Sequence, residues 1–261
     1  MIGIFDSGIG GLTVAGAVAR AFPDLSIAYF GDTARTPYGN KSPETLIRYS
    51  KENTRFLMGL GARIIVVACN TASSVATTAL REEFPLPVFE VITPAVEMAL
   101  STSGVRSIGV IGTRATIGSG VYERLIKERR PDASVFSTAC PLIVPLVEEG
   151  WLNRPETRRI VKKYLHPLKT RQVDALILGC THYPVVKDLI AEKIGKRVRV
   201  IDSSEAVVRA LERYFAENPG VKDGLSTGGR VDLYVSDITA QFQKTANLIL
   251  RRKLPLTLVA G

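Results

Sequence analysis

Two short stretches of this 261-residue chain are built alike, and that likeness limits the fold more than any other feature. Ile64-Ile65-Val66-Val67-Ala68-Cys69-Asn70-Thr71 and Ala175-Leu176-Ile177-Leu178-Gly179-Cys180-Thr181-His182 follow one plan. Each runs from an apolar strand through a small residue to a cysteine, then into polar residues that open a helix. Cys180 follows Cys69 at an offset of 111 residues. A weaker pair lies at 106: Ile2-Gly3-Ile4-Phe5 before Asp6-Ser7, and Ile108-Gly109-Val110-Ile111 before Gly112-Thr113. The repeat predicts two similar α/β units facing each other. Ligands of open α/β sheets bind beyond the carboxyl ends of the strands, so both cysteines are expected on opposite walls of one cleft.

The rest of the chain alternates short apolar runs with longer amphipathic segments, the pattern of α/β architecture with mainly parallel sheet. Strands are expected at residues 2–5, 27–30, 64–67, 88–91, 108–111, 135–137, 176–178, 198–201 and 231–235. Several are apolar throughout, as strands covered by helices on both faces are. Helices are expected near residues 11–21, 43–60, 73–84, 116–129, 155–170, 184–193, 204–216 and 238–250. Pro43, Pro155 and Pro184 suit a first helical turn, where the missing N–H costs little.

The apolar runs are far too short to span a bilayer, and the sequence from Met1 into Ile2-Gly3-Ile4-Phe5 has no signal-peptide features. No membrane association and a cytoplasmic location are therefore expected. The formal net charge of +9 could favour an acidic small molecule or nucleic acid. The basic residues are scattered over helical and turn segments without an aromatic platform, so solvated helix faces explain them better than a nucleic-acid surface. Three cysteines with no C-x-x-C pair argue against a disulfide framework and a structural zinc site.

Buried free cysteine is common, so packing is the first explanation for each thiol. Two cysteines in matching contexts, each followed by hydrogen-bonding residues, point instead to chemistry. Inverting a Cα–H centre requires a proton to leave one face and another to arrive on the opposite face, and two opposed thiols can do this if one is ionised. A helix N-terminus beyond each thiol is expected to lower its pKa. Cys140 lacks a partner of this kind and reads as structural or as cleft lining. Asp6-Ser7-Gly8-Ile9-Gly10-Gly11-Leu12-Thr13 is not a dinucleotide fingerprint, because Thr13 stands where its third glycine belongs. It does offer backbone N–H groups and Ser7 to a small anion, with Asp6 as a charge partner or a turn residue. His182 is placed to relay protons beside Cys180, whereas His166 belongs to the surface or a cap. Cys69, Cys180 and His182 lack a fourth metal ligand, so no metal is expected.

Four blocks resemble the signatures of bacterial glutamate racemases, within the aspartate/glutamate racemase superfamily. They are Phe5-Asp6-Ser7-Gly8-Ile9-Gly10-Gly11-Leu12-Thr13, Gly31-Asp32-Thr33-Ala34-Arg35-Thr36-Pro37-Tyr38-Gly39, Ala68-Cys69-Asn70-Thr71-Ala72 and Gly179-Cys180-Thr181-His182-Tyr183-Pro184. Aspartate-specific members typically lack the Asp-Ser-Gly opening and carry Glu where His182 stands. The resemblance implies two pseudo-symmetric α/β domains, residues 1–93 plus 205–261 and residues 94–204, with the active site in the cleft between them. It further implies cofactor-independent racemisation of glutamate, with Cys69 and Cys180 as acid/base pair and Asp6 and His182 setting their protonation. Substrate binding would fall to Asp6, Ser7, Tyr38, Gly39, Asn70, Thr71, Thr113, Thr116, Thr181 and His182, and Glu148 resembles an acidic site position. A homodimer and a role in peptidoglycan precursor synthesis are likewise implied.

Two other readings stay open. A cysteine hydrolase would use one thiol as nucleophile and His182 as base, leaving the second matched cysteine unexplained. A two-lobed binding protein would hold an acidic amino acid without turning it over.

Overall fold

Strands that are apolar at every residue need cover on both faces, and they have it in the computed structural model, which describes residues 1–250 and 253–259. The strands are β1 (Ile2–Asp6), β2 (Ile27–Gly31), β3 (Ile64–Val67), β4 (Val88–Glu90), β5 (Ser107–Gly112), β6 (Ser134–Ala139), β7 (Ala175–Gly179), β8 (Arg199–Asp202), β9 (Val231–Val235) and β10 (Leu256–Leu258). The helices are α1 (Leu12–Ala21), α2 (Pro43–Gly59), α3 (Asn70–Glu83), α4 (Ile92–Leu100), α5 (Arg114–Gly118), α6 (Val121–Arg129), α7 (Ile143–Glu148), α8 (Pro155–Thr170), α9 (Lys187–Ile194), α10 (Ser203–Glu217), α11 (Pro219–Asp223) and α12 (Ala240–Leu250).

The strands form two sheets, ordered β10-β9-β2-β1-β3-β4 and β6-β5-β7-β8, and every pairing within them among the described residues is parallel. Helices on each face supply four apolar clusters, two per sheet. In the first sheet β1 lies beside β3, with Phe5 opposite Val67. In the second β5 lies beside β7, with Gly112 opposite Gly179. The internal repeat thus becomes two equivalent strand pairs, each ending in a cysteine next to a polar loop.

Two crossovers join the sheets, and each is capped by the carboxylate that ends its strand. Glu90 accepts from the backbone N–H groups of Ile92 and Thr93 to start α4, and Asp202 accepts from the N–H of Ser204 to start α10. A carboxylate there satisfies orphan donors and opposes the helix dipole. The crossover helices α4 and α10 pack on each other.

The structure departs from the expected elements in instructive places. The single helix expected at residues 116–129 is two, because Gly120 takes φ 66° and breaks it. Helix α3 starts at Asn70 rather than near residue 73, so Cys69 itself is the N-cap. The segment after Cys180 opens with a 3-10 turn at Tyr183–Val186 before α9. Helix α4 escaped the periodicity because it is wrapped by α10, α6 and β7 and shows no fully exposed face. No helix among the described residues is long and apolar enough to cross a membrane.

Candidate active site

Both cysteines stand just beyond the carboxyl ends of buried strands, Cys69 after β3 and Cys180 after β7, and are only 5% and 6% exposed. Their loops interlock across the divide between the sheets. The Cys180 loop leans on the loop after β1: the hydroxyl of Thr181 donates to Asp6 Oδ1 at 3.4 Å, and Thr13 Oγ1 lies 3.0 Å from the Thr181 carbonyl. The Cys69 loop leans on the segment after β5: Thr71 Oγ1 lies 3.1 Å from Thr113 Oγ1 and 3.3 Å from Thr116 Oγ1. Each thiol-bearing loop is therefore braced by the leading loop of the opposite unit.

Close approach at the first brace explains the glycines that open the chain. A methyl group on Gly10 would lie 2.5 Å from His182 Nδ1 and closer still to the Thr181 hydroxyl. A methyl on Gly11 would collide with Asp6. The fully buried Asp6 accepts from the N–H groups of Gly8 (3.1 Å) and Gly11 (2.9 Å), and Tyr29 Oη donates to the Gly8 carbonyl at 2.6 Å. Asp6 thus holds the loop in shape and places a negative charge near Cys69.

The surroundings of the two thiols differ. Burial and the charge of Asp6 push Cys69 up to about 12, against the Ala72 N–H and the Ser7 hydroxyl, whose oxygen is 3.6 Å from the sulfur. This overturns the expectation that the helix N-terminus would lower its pKa: Cys69 does cap α3, but desolvation and a nearby anion outweigh one amide. A charge on Cys180 also raises Cys69, so the two sulfurs sense each other. On the other wall, His182 Nδ1 lies 3.8 Å from Cys180 Sγ and Nε2 lies 3.0 Å from Glu148 Oε1. Burial opposes charge on His182, but the Cys180 sulfur and the Glu148 carboxylate together raise it to about 10. The imidazole is thus protonated at neutral pH and faces a sulfur on one side and a carboxylate on the other.

Several polar groups are open to a ligand. Thr71, Thr113 and Thr116 form a triangle of hydroxyls with rotatable protons. Asn70, beside Cys69, accepts at Oδ1 from Tyr122 Oη at 2.6 Å, while its buried Nδ2 has no partner among the described residues. An unmet buried donor costs about 1–3 kcal/mol, which a bound acceptor would recover. Tyr38 is different: its hydroxyl is committed to Asp32 and takes a 3.0 Å bond from Asn53. What the Tyr38–Asn40 turn brings to the cleft is Gly39, set against Thr113.

The fold gathers Asp6, Ser7, Asn70, Thr71 and Cys69 with Thr113, Thr116, Thr181, Cys180, His182 and Glu148. Cys140 is fully buried in the second unit's core, and His166 is exposed on α8. Tyr122 and the buried Asp32, which also takes two bonds from Arg35 Nε, were not visible in the sequence as site residues. Neither sits in a spacing pattern that separates it from core or turn. Among the described residues no cluster of three or more His, Cys, Asp or Glu side chains could hold a metal. A cavity of about 860 Å³ between α1, α12 and the start of α9 includes neither thiol.

Comparison with known proteins follows the same lines. The family model for Asp/Glu/Hydantoin racemase matches residues 13–211. Glutamate racemase of Aquifex aeolicus is 48% identical over 95% of this chain and 93% of its own length. The crystal structure of a glutamate racemase isoform from Bacillus anthracis superposes with a TM-score of 0.92 at 34% identity, over 99% of this chain and 97% of that one. That of the Francisella tularensis glutamate racemase, in complex with D-glutamate, gives 0.90 at 35% identity over the same shares.

Proposed function

This chain belongs to the Asp/Glu/hydantoin racemase family, among its glutamate racemases, and from that premise we propose that it interconverts L- and D-glutamate by two-base proton transfer at Cα. The observation that carries the reading is the pair of thiols at the ends of the equivalent strands β3 and β7, in opposite electrostatic surroundings.

With Cys69 pushed up to about 12, its proton stays on sulfur at neutral pH. Cys180, beside the His182 imidazolium, takes the Cα proton of L-glutamate, so that a C–H bond breaks and an S–H bond forms. The electron pair left on Cα takes the Cys69 proton on the opposite face, giving D-glutamate. D-Glutamate runs the same steps in reverse from the form that the forward reaction leaves, with Cys69 as thiolate base and Cys180 as thiol acid. Asp6 and His182 set the thiols' protonation, and Glu148 orients and charges His182.

Ser7, Asn70, Thr71, Thr113, Thr116 and Thr181, with the Tyr38–Gly39 turn, hold the two carboxylates and the ammonium. The carbanion is supported by these fixed donors and by the retained ammonium charge, in a site from which water is excluded. No cofactor takes part. The cleft lies between a domain of residues 1–93 plus 205–261 and one of residues 94–204. We read the enzyme as a cytoplasmic homodimer whose D-glutamate supplies peptidoglycan precursors.

The test is incubation with L-glutamate in D2O, with chelator and without added cofactor, following optical rotation and Cα deuterium together. Loss of rotation with deuterium in the D-product, for glutamate and not L-aspartate, is the expected result. Racemisation of aspartate alone would overturn the substrate. Inertness toward both, with binding retained, would favour the two-lobed binding protein.

A further inference from the structure

Tyr122 touches the neighbours of both thiols at once. It sits on α6 of the second unit, 2% exposed. Its ring covers Gly179, the residue before Cys180, so closely that a methyl there would lie 3.1 Å from ring carbon Cε2. Its hydroxyl crosses to the first unit and donates 2.6 Å to Oδ1 of Asn70, the residue after Cys69.

That bond decides how the Asn70 amide faces. A tyrosine hydroxyl can donate to an amide oxygen or accept from an amide nitrogen, and here it donates to Oδ1, which turns the oxygen toward Tyr122 and Nδ2 away from it. The other end, Nδ2, is buried without a partner among the described residues. A buried amide N–H2 left open next to a reacting cysteine is suited to an anionic acceptor, of which an amino-acid substrate offers its carboxylates.

We infer that Tyr122 is a positioning residue: it locks the Asn70 amide with its N–H2 turned to a substrate carboxylate, and it does so only when the two units are in register. The inference rests on the glutamate racemase reading and adds to it a residue that makes no substrate contact of its own. Tyr122→Phe keeps the ring on Gly179 and removes the hydroxyl alone.

The experiment is a double-mutant cycle of Tyr122→Phe and Asn70→Ala, read by racemisation kinetics and by calorimetric binding of L- and D-glutamate, with thermal melting to verify folding. Loss of one orienting hydrogen bond is expected to raise KM for both enantiomers roughly 5- to 10-fold, with kcat changed less than about 2-fold. In the Asn70→Ala background Tyr122→Phe is expected to add nothing, because the amide it orients is gone. Asn70→Asp provides a second arm: it can still accept from Tyr122 but offers no N–H2, and it is expected to bind glutamate more weakly than Asn70→Ala does. Additive effects in the cycle, a fall in kcat at constant KM, or wild-type-like binding by Asn70→Asp would overturn the role of Tyr122. A wild type that binds glutamate but does not racemise it would overturn the racemase reading while the cycle still reports on Tyr122 through binding. A wild type that does neither overturns both.

Discussion

Glu148 Oε1 stands 3.0 Å from Nε2 of His182, and the backbone carbonyl of the same glutamate is held by Gln241 at 2.7 Å and Thr245 at 2.9 Å. The carboxylate is half-exposed, but its backbone is fixed from α12, so it reaches the imidazole from an anchored position. Glu148→Gln removes one of the groups that raise His182 to about 10. The alkaline limb of kcat/KM is expected to move to lower pH by roughly 1–3 units. L- and D-glutamate have equal free energies in water, so the two directions must show the same shift. Profiles measured in both directions check this, and an unmoved limb would remove Glu148 from the relay.

The same histidine links pH to stability. Its folded-state pKa, about 10, lies above the unfolded value of 6.5. The stabilisation is fully present below pH 6.5 and is lost as pH rises through about 10. Melting temperatures measured across that window should fall for the wild type and fall less for His182→Asn.

Gly10→Ala tests a close approach between the units. Gly10 does not use the left-handed backbone region, so alanine suits its main chain, but the added methyl meets Thr181 and His182. The expected result is a kcat lowered at least about tenfold with a folded protein and a modest loss of melting temperature. Kinetics paired with calorimetry separate the two effects, and unchanged kcat would show that the loops yield without cost.

Asp6→Asn tests why Cys69 keeps its proton. Removing the anion is expected to lower the Cys69 pKa from about 12, read as thiolate ultraviolet absorbance in a Cys140→Ala, Cys180→Ser background. Cys140 must be absent because burial pushes it up to about 12 as well. A titration unaltered by Asp6→Asn would leave burial as the whole cause.

Each cysteine should be indispensable. Cys69→Ser and Cys180→Ser are each expected to lower steady-state racemisation in both directions by roughly 10²–10⁴-fold, since a serine hydroxyl is too weak an acid and base at neutral pH. Substantial turnover by either variant would end the two-base scheme.

The architecture was legible because it is written in local terms. The strand–cysteine repeat and the apolar strands led directly to two α/β units of mainly parallel sheet, whereas the placing of β1 beside β3 and of β5 beside β7 is seen only in the fold. Helix α4 was not legible, because it is a short, mostly apolar segment that begins just after β4 and is interrupted by polar residues only at Thr93 and Glu97. Nor was the direction of the Cys69 pKa: a helix start is visible in sequence, whereas the depth of burial and the anion at Asp6 are products of tertiary structure. Tyr122 reads as an ordinary helix aromatic until the fold brings it to Asn70, 52 positions away in the chain. The Tyr38 hydroxyl shows the converse, a motif residue whose polar atom is engaged by Asp32 and Asn53.

The crossed bracing of the two cysteine loops governs traffic as well as chemistry. With Cys69 and Cys180 only 5% and 6% exposed, admission of an amino acid needs the surrounding loops to move, and the contacts of Thr181 with Asp6 and of Thr71 with Thr113 and Thr116 hold those loops together. Those contacts tie the same two units together at two points, so a rigid separation of the units breaks both sets at once. Entry and escape of either enantiomer then depend on the same contacts, and the residues that hold the loops together can set the pace of turnover.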